Sequence, residues 1–409
     1  MKKIISGLCI LLSFQACMKD TMTRTYTIYK PIYKEKSEVY ATVGSSASRA
    51  IESPGKIVLS GTYIFLNEIQ KGVHIIDNSN PAHPVQKAFI NIPGNIDIAV
   101  QGNVLYADLY TELAVLDISD PLQARLVKII PNVFPEQSFA NGFATDSLHF
   151  IAGWTKKDTT VSIHSDPISY PGGVVFLNNS ANQSVLVPGT KSAISGSMAR
   201  FALIGQYLYT VDNHSLRSFS LSNPLQPQEA ANISAGWDIE TIYPFNNKLF
   251  LGSKEGMFVF DLSNPAKPAR QTQFTHGRAC DPVIADDNYA YITLRNGTTC
   301  GATLNELEVV DISNLSATNL VKTYSLTNPY GLAKDNNLLF ICDGTEGIKM
   351  FNAADPLNIA LKKHIGGLET YDAIAWNKNL IVVAKDGLYQ FDYSNPGDLL
   401  LKSKLAINH

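Results

Sequence analysis

Val115-Leu116-Asp117-Ile118-Ser119-Asp120-Pro121 states a pattern that returns along the chain. Val259-Phe260-Asp261-Leu262-Ser263-Asn264-Pro265 and Gln390-Phe391-Asp392-Tyr393-Ser394-Asn395-Pro396 repeat it closely. The Asp position falls at Asp77, Asp117, Leu177, Ser220, Asp261, Asp311, Asn352 and Asp392, at intervals of 40, 60, 43, 41, 50, 41 and 40 residues. A period near forty, made of strand-forming residues, corresponds to one four-stranded propeller blade per copy. The expected fold is all-β: a single eight-bladed β-propeller with four antiparallel strands per blade, over residues 51–409. Seven blades is the alternative, in which the degenerate third copy elaborates its neighbour.

The final copy shows the internal order. Tyr371 to Trp376, Leu380 to Ala384, Leu388 to Asp392 and Leu399 to Ala406 read as strands, separated by Asn377-Lys378-Asn379, Lys385-Asp386-Gly387 and Ser394-Asn395-Pro396. Such turn clusters suit an antiparallel meander. The last strand ends within the copy, so closure needs no strand exchange. The repeated Asp can accept a bond from an amide one or two residues on, as an Asx turn, and the following Pro ends the strand. Its expected role is therefore structural. Asn352 and Ser220 can cap in the same way, and Leu177 cannot. Helical periodicity is not evident.

The 409 residues are 45% hydrophobic and 17% charged, with 18 Tyr and 18 Phe, which suits a packed β protein. The formal charge is −3 with no basic stripe, which argues against nucleic acid as a partner. Met1-Lys2-Lys3, an apolar run from Ile4 to Phe14 and Ala16-Cys17 read as an export signal over residues 1–16. The segment resembles a bacterial lipoprotein signal, with Cys17 as the lipidated residue and Phe14 where Leu is usual; the alternative is an ordinary cleaved signal. Met18-Lys19-Asp20 resembles the surface-export signal of lipoproteins of the Bacteroidetes type. Residues 17–50 are expected as a tether, although Thr25 to Tyr29 and Glu38 to Val43 could pack on the ring as strands. The expected location is the cell envelope, lipid-anchored in the outer membrane.

Leu113-Ala114-Val115-Leu116-Asp117 and Leu307-Glu308-Val309-Val310-Asp311 resemble the LVIVD repeat family, named for its third-strand consensus. The resemblance extends over residues 51–409. It implies a secreted or surface propeller of undefined activity and brings no catalytic residue with it.

Insertions point to a functional face. From a large second-strand residue (Phe65, Tyr106, Phe150, Tyr209, Phe250, Tyr291, Phe340 or Ile381) to the repeat position, the spacing is 11 or 12 residues in six copies. It is 27 in copy three and 20 in copy six. Both lengthen the connection between second and third strands, at one end of a propeller, where binding surfaces collect. Copy three places Trp154, Lys156, His164 and Tyr170 there. Trp237, Asp238, Arg278, Asp281 and Arg295 gather near the same mouth. Exposed aromatics beside polar groups suit protein or glycan contacts. Cys280 and Cys300 flank adjacent strands, so a disulfide could close the second insertion, with two free thiols as the alternative; Cys342 is expected to be buried.

The mouth carboxylates Asp97, Asp108, Asp212, Asp238, Asp281, Asp343 and Asp372 would be needed for any Ca²⁺ in the channel, but no calcium-loop spacing exists. No cofactor is expected. There is no nucleophile elbow, zinc motif or phosphate loop. The expected function is non-catalytic: a monomeric surface lipoprotein binding a protein or glycan. The alternative is an extracytoplasmic glycoside hydrolase or lyase, with Asp238, Glu240, Arg278, Asp281 and His214 as first candidates.

Overall fold

The computed structural model describes residues 23–140, 142–162, 175–178, 199–275, 282–296 and 304–407. Four-stranded antiparallel units cover residues 54–91, 98–130, 201–234, 239–275, 283–325, 332–365 and 370–406, here units one to seven. Each is a meander whose strands pair in chain order. The first strands touch in the sequence one, two, three, four, five, six, seven, and Pro54–Ser60 of unit one also meets Asn379–Ala384 of unit seven.

Apolar side chains on both faces of the inner strands explain this circuit, because a sheet buried on both sides needs two covering neighbours. Each hydrophobic cluster accordingly draws on two adjacent units. Phe65, Ile75 and Leu105 belong to units one and two, and Tyr106, Val115 and Phe219 to units two and three. Ile64, Ile76, Ile381 and Leu388 join unit one to unit seven. Polar bonds reinforce the same seams. The Tyr106 hydroxyl donates to the Pro224 carbonyl at 2.9 Å, Tyr209 to Pro265 at 2.8 Å and Tyr324 to Pro356 at 2.9 Å. Closure uses Ser403 on the Pro81 carbonyl at 2.6 Å and the Gln390 amide on Asn78 at 2.7 Å. Among the described residues, all four strands of unit seven come from the last stretch of chain.

The repeat Asp is a cap, as expected. The amides of Ser79, Ser119, Ser263, Ser313 and Ser394 donate to Asp77, Asp117, Asp261, Asp311 and Asp392 at 2.7–3.0 Å. Asn352 performs the same role toward Ala354 at 3.0 Å. All five carboxyls are held below the usual carboxylate range, chiefly by the Ser hydroxyl and then the Ser amide at Asp117, Asp261 and Asp311, by the Ser79 amide at Asp77, and by the Lys402 ammonium at Asp392. A second Asx turn follows immediately at Asn80, Asp120, Asn223, Asn314, Asp355 and Asn395. Just before the capped residue the third and fourth strands slip register by one, as at Val259/Phe260 and Gln390/Phe391. Such bulges add twist.

Residues 149–178 differ from expectation. They were expected to supply the second and third strands of a blade between units two and three, yet those two units pack directly on each other. His149–Ser162 instead pairs along its length with Thr23–Glu35, which also pairs with Val175–Asn178 around Leu177. The eightfold count is therefore not reproduced among the described residues. The reason is compositional. Lys156, Lys157, Asp158, Thr159 and Thr160, expected in an inserted loop, instead continue the strand past Trp154, and an inner blade strand buried on both faces has no place for them.

Residues 23–47 likewise depart from a free tether. Thr23–Glu35 is strand, Lys36–Ala41 is a short helix where a strand-like piece was expected, and Gly44–Ala47 is strand. A helix this short is held by tertiary contacts rather than propensity. Val39 is buried, while Lys36 and Tyr40 both engage the buried Glu112. Gly44–Ala47 pairs with Ala88–Asn91 and touches Arg125, joining the outer edges of units one and two into a nine-stranded sheet.

Candidate binding rim

In every unit, the connection from second to third strand leaves at the same end as the connection to the next unit. This rim has a repeated internal support. A carboxylate ending the second strand turns back to cap the amides entering the first. Glu68 accepts from Glu52 and Ser53, Asp108 from Ile96 and Asp97, and Asp343 from Thr327 and Asn328. Several mouth carboxylates are thereby occupied in holding loops. Among the described residues no group of three metal-ligating side chains forms.

Units two and three carry more than this support. The segment leaving unit two enters through Phe134, whose amide donates to the Thr111 carbonyl at 2.9 Å and whose ring stacks on Phe201 at 5.6 Å. Next to it, Glu136 pairs with the Arg200 guanidinium. Lys56 approaches Asp97 at 3.0 Å, and the Arg200 amide donates to Asp97. Gln137 donates to Asp108 at 3.3 Å. Burial pushes the Asp108 carboxyl up to about 6, against the pull of Arg200. Burial also raises Glu136, again opposed by Arg200, with Asp212 adding to the rise. The Glu136 Oε2 atom has no hydrogen-bond partner among the described residues.

From Asp212 the cluster reaches the surface. Asp212 caps the amides of His214 and Ser215 at 2.7 Å each. His214 stands edge-on to Trp237 with ring centroids 4.6 Å apart. Trp237 is 69% exposed, an unusual state for so large an apolar side chain. Its turn is set by Gly236 at φ 143° and Asp238 at φ 51°. A Cβ on Gly236 would meet the Phe258 ring at 2.8 Å, so glycine is required there. Asp238 pairs with Lys254 at 3.0 Å. The result is an aromatic plate with a carboxylate and an ammonium on one side and an imidazole beneath.

Of the residues singled out in the sequence, Trp237, Asp238 and His214 come together. Arg295 lies elsewhere on the rim, 3.7 Å above the Tyr330 ring, which meets Tyr371 at 5.3 Å. Burial lowers its pKa, with Tyr330 opposing. The Asn296 amide donates to Asn305 Oδ1 at 2.9 Å and closes the base of the second insertion. Trp154 and Lys156 are not on a second-to-third connection of the ring. They belong to the strand paired with Thr23–Glu35, Trp154 against Phe143 at 5.7 Å and Lys156 over Tyr29 at 5.5 Å. Cys17, His164, Tyr170, Arg278, Cys280, Asp281 and Cys300 lie outside the described residues. Cys342 is fully buried, and burial raises its thiol pKa. Lys56, Glu136, Arg200 and Lys254 escaped the sequence reading because no spacing announces partners brought together around a ring.

The closed circuit of meandering sheets, with polar loops gathered on one rim, defines a β-propeller. Residues 54–91, 95–130 and 276–326 match the LVIVD repeat. No curated protein matches the chain by sequence. Among solved structures it is similar to a protein from Lactobacillus plantarum, with TM-score 0.55 and 9% identity over 94% of this chain and 97% of that one. A functionally unknown protein from Desulfotomaculum acetoxidans gives 0.51 and 13% over 87% and 99%. BamB from Moraxella catarrhalis gives 0.52 and 7% over 88% and 96%. At these identities the likeness is one of fold.

Proposed function

We propose that this chain is a non-catalytic surface lipoprotein of the Bacteroidetes type whose seven-bladed ring binds a protein or glycan on its loop-rich rim. The seven-blade count rests on the direct packing of unit two on unit three and the return of unit seven to unit one. In this reading residues 131–198 are a single long excursion between two blades, and they leave from the same rim as the insertion after Asn296. Cys17 carries the lipid in the outer membrane. A Cys280–Cys300 disulfide closes the second insertion and stabilises it by about 3 kcal/mol.

The observation that carries the binding reading is Trp237: a 69% exposed aromatic, braced by His214 and flanked by the Asp238–Lys254 pair. Rigid exposed aromatics with polar neighbours are what binding hot spots are made of. The test is a pull-down and glycan-array screen with the full chain in detergent. Trp237→Ala should lose at least tenfold in affinity for the ligand found. Equal retention by both proteins would remove the rim from the function.

The hydrolase or lyase alternative draws on one observation, the raised Asp108 beside Glu136 and Arg200. Asp108 is spent on four amides and buried, which favours binding over catalysis. Glycoside turnover abolished by Asp108→Asn would reverse that preference.

A further inference from the structure

We infer a second site, for a neutral saccharide, on the opposite rim at the seam where the last unit closes on the first. A cleft of about 240 Å³ lies there between Tyr63, Asn78 and Ser79 of unit one and Trp376, Asn379 and Lys402 of unit seven. It adjoins a space of about 570 Å³ lined by Ile57, Leu59, Ile374 and again Trp376. Trp376 stands at the junction of both and is 61% exposed. The larger space has the volume of a small-molecule site, the smaller one adds a polar wall to it, and together their lining is mixed.

The aromatic plate is rigidly presented. Trp376 precedes a two-residue hairpin turn whose central residues, Asn377 and Lys378, both have positive φ, at 48° and 59°. That is the turn matched to strand twist, and it fixes the direction of the side chain before it.

The polar wall is equally ordered. Asn379 donates to Gln390 at 2.7 Å, and Gln390 donates to Asn78 at 2.7 Å. Each amide in this relay is oriented by the last, so the Asn78 carbonyl oxygen is occupied and its NH₂ remains as donor at the cleft. At the other end, Asn379 is 8% exposed and its Oδ1 has no hydrogen-bond partner among the described residues. A buried carbonyl oxygen without a donor is costly and calls for an explanation. A hydroxyl-bearing occupant of the cleft would provide one.

Charge selects the ligand class. Lys402 already pairs with Asp392 at 2.9 Å, so the wall offers amides and an aromatic face rather than unneutralised charge. A lipid chain would leave the amide relay unused, and an anion would find no free cation on these walls. A pyranose ring satisfies both surfaces, with its C–H face on Trp376 and its hydroxyl edge on Asn78 and Asn379. This site is independent of Trp237, which stands on the other rim.

The chain has three tryptophans, Trp154, Trp237 and Trp376, so fluorescence can assign the event. The full chain in detergent is titrated with maltotriose, cellotriose, chitotriose and mannotriose. One of them should change the emission with millimolar or tighter affinity. Trp376→Phe should abolish the signal change, Trp376→Ala and Asn78→Ala should each weaken binding at least tenfold by calorimetry, and Trp237→Ala should leave it intact. Trp376 is exposed, so its replacement does not threaten folding. Binding of none of the four, or binding indifferent to Trp376 and Asn78, would overturn the inference. Binding lost only on Trp237→Ala would assign the sugar to the other rim and overturn it equally.

Discussion

If the segment leaving unit two seats against unit three, Phe134 and Phe201 must be energetically coupled. Phe134 is fully buried, Phe201 is 3% exposed, and their rings stack 5.6 Å apart. Truncating a buried Phe to Ala costs about 3–5 kcal/mol through lost burial and the cavity left behind. A stacked aromatic pair adds about 0.5–1.5 kcal/mol beyond area. Each single variant should thus lose about 4 kcal/mol, and the double variant about 1 kcal/mol less than the sum. Phe134 and Phe340 of unit six share no cluster, so that pair should be additive to within about 0.5 kcal/mol. Urea unfolding followed by circular dichroism supplies the free energies. Losses of about 7 kcal/mol for the double variant approach the whole stability of a domain, so Phe→Leu versions of the same cycle keep all states folded if the double Ala variant is not. Additivity of Phe134 and Phe201 in both cycles would refute the seating of this segment against unit three, on which the proposed sevenfold ring relies.

Three further outcomes follow from particular contacts. Asp108, raised to about 6, binds its proton in the folded state over a range where the unfolded chain has released it, so stability should fall as pH rises from about 4 to about 6, by on the order of 2–3 kcal/mol; the difference between wild type and Asp108→Asn should shrink over that window, and a pH-independent difference would contradict the burial argument. Removing residues 23–47 uncovers the apolar edge Ala88-Phe89-Ile90 and leaves Glu112 buried without Lys36 and Tyr40, so the shortened protein should unfold at lower urea and self-associate on size-exclusion chromatography; an unchanged, monodisperse protein would show the segment to be dispensable. Thiol titration of protein beginning after Cys17 should give no reactive thiol when native and one, Cys342, when denatured without reductant; three would dispose of the Cys280–Cys300 bridge.

The propeller was legible in the chain because its evidence is local and repeated. An Asx cap, a strand-ending Pro and a two-sided apolar strand each act within a few residues, and their recurrence every forty or so compels a ring of sheets. The same locality made Asp77, Asp117, Asp261, Asp311 and Asp392 readable as caps rather than ligands. The misreading arose where a strand's partner is remote. The stretch around Phe150 reads as a blade strand, but the polar run that continues it finds Thr23–Glu35 more than a hundred residues earlier in the chain, and no spacing encodes that choice.

The candidate site divides along the same line. Asp238, with Trp237 beside it, could be named from the chain because the repeat places it at the start of a first strand, near the mouth. Their bracing by His214 and Lys254, and the Lys56, Asp97, Arg200 and Glu136 cluster behind them, could not. Trp376 reads as the end of an ordinary strand, and only closure of unit seven on unit one places Tyr63 and Asn78 across from it. Sequence alone settled what each repeat is, since that depends on short-range backbone chemistry. Tertiary structure alone decided which units pack on each other and which side chains meet at their seams, because those depend on packing between segments that the chain holds far apart.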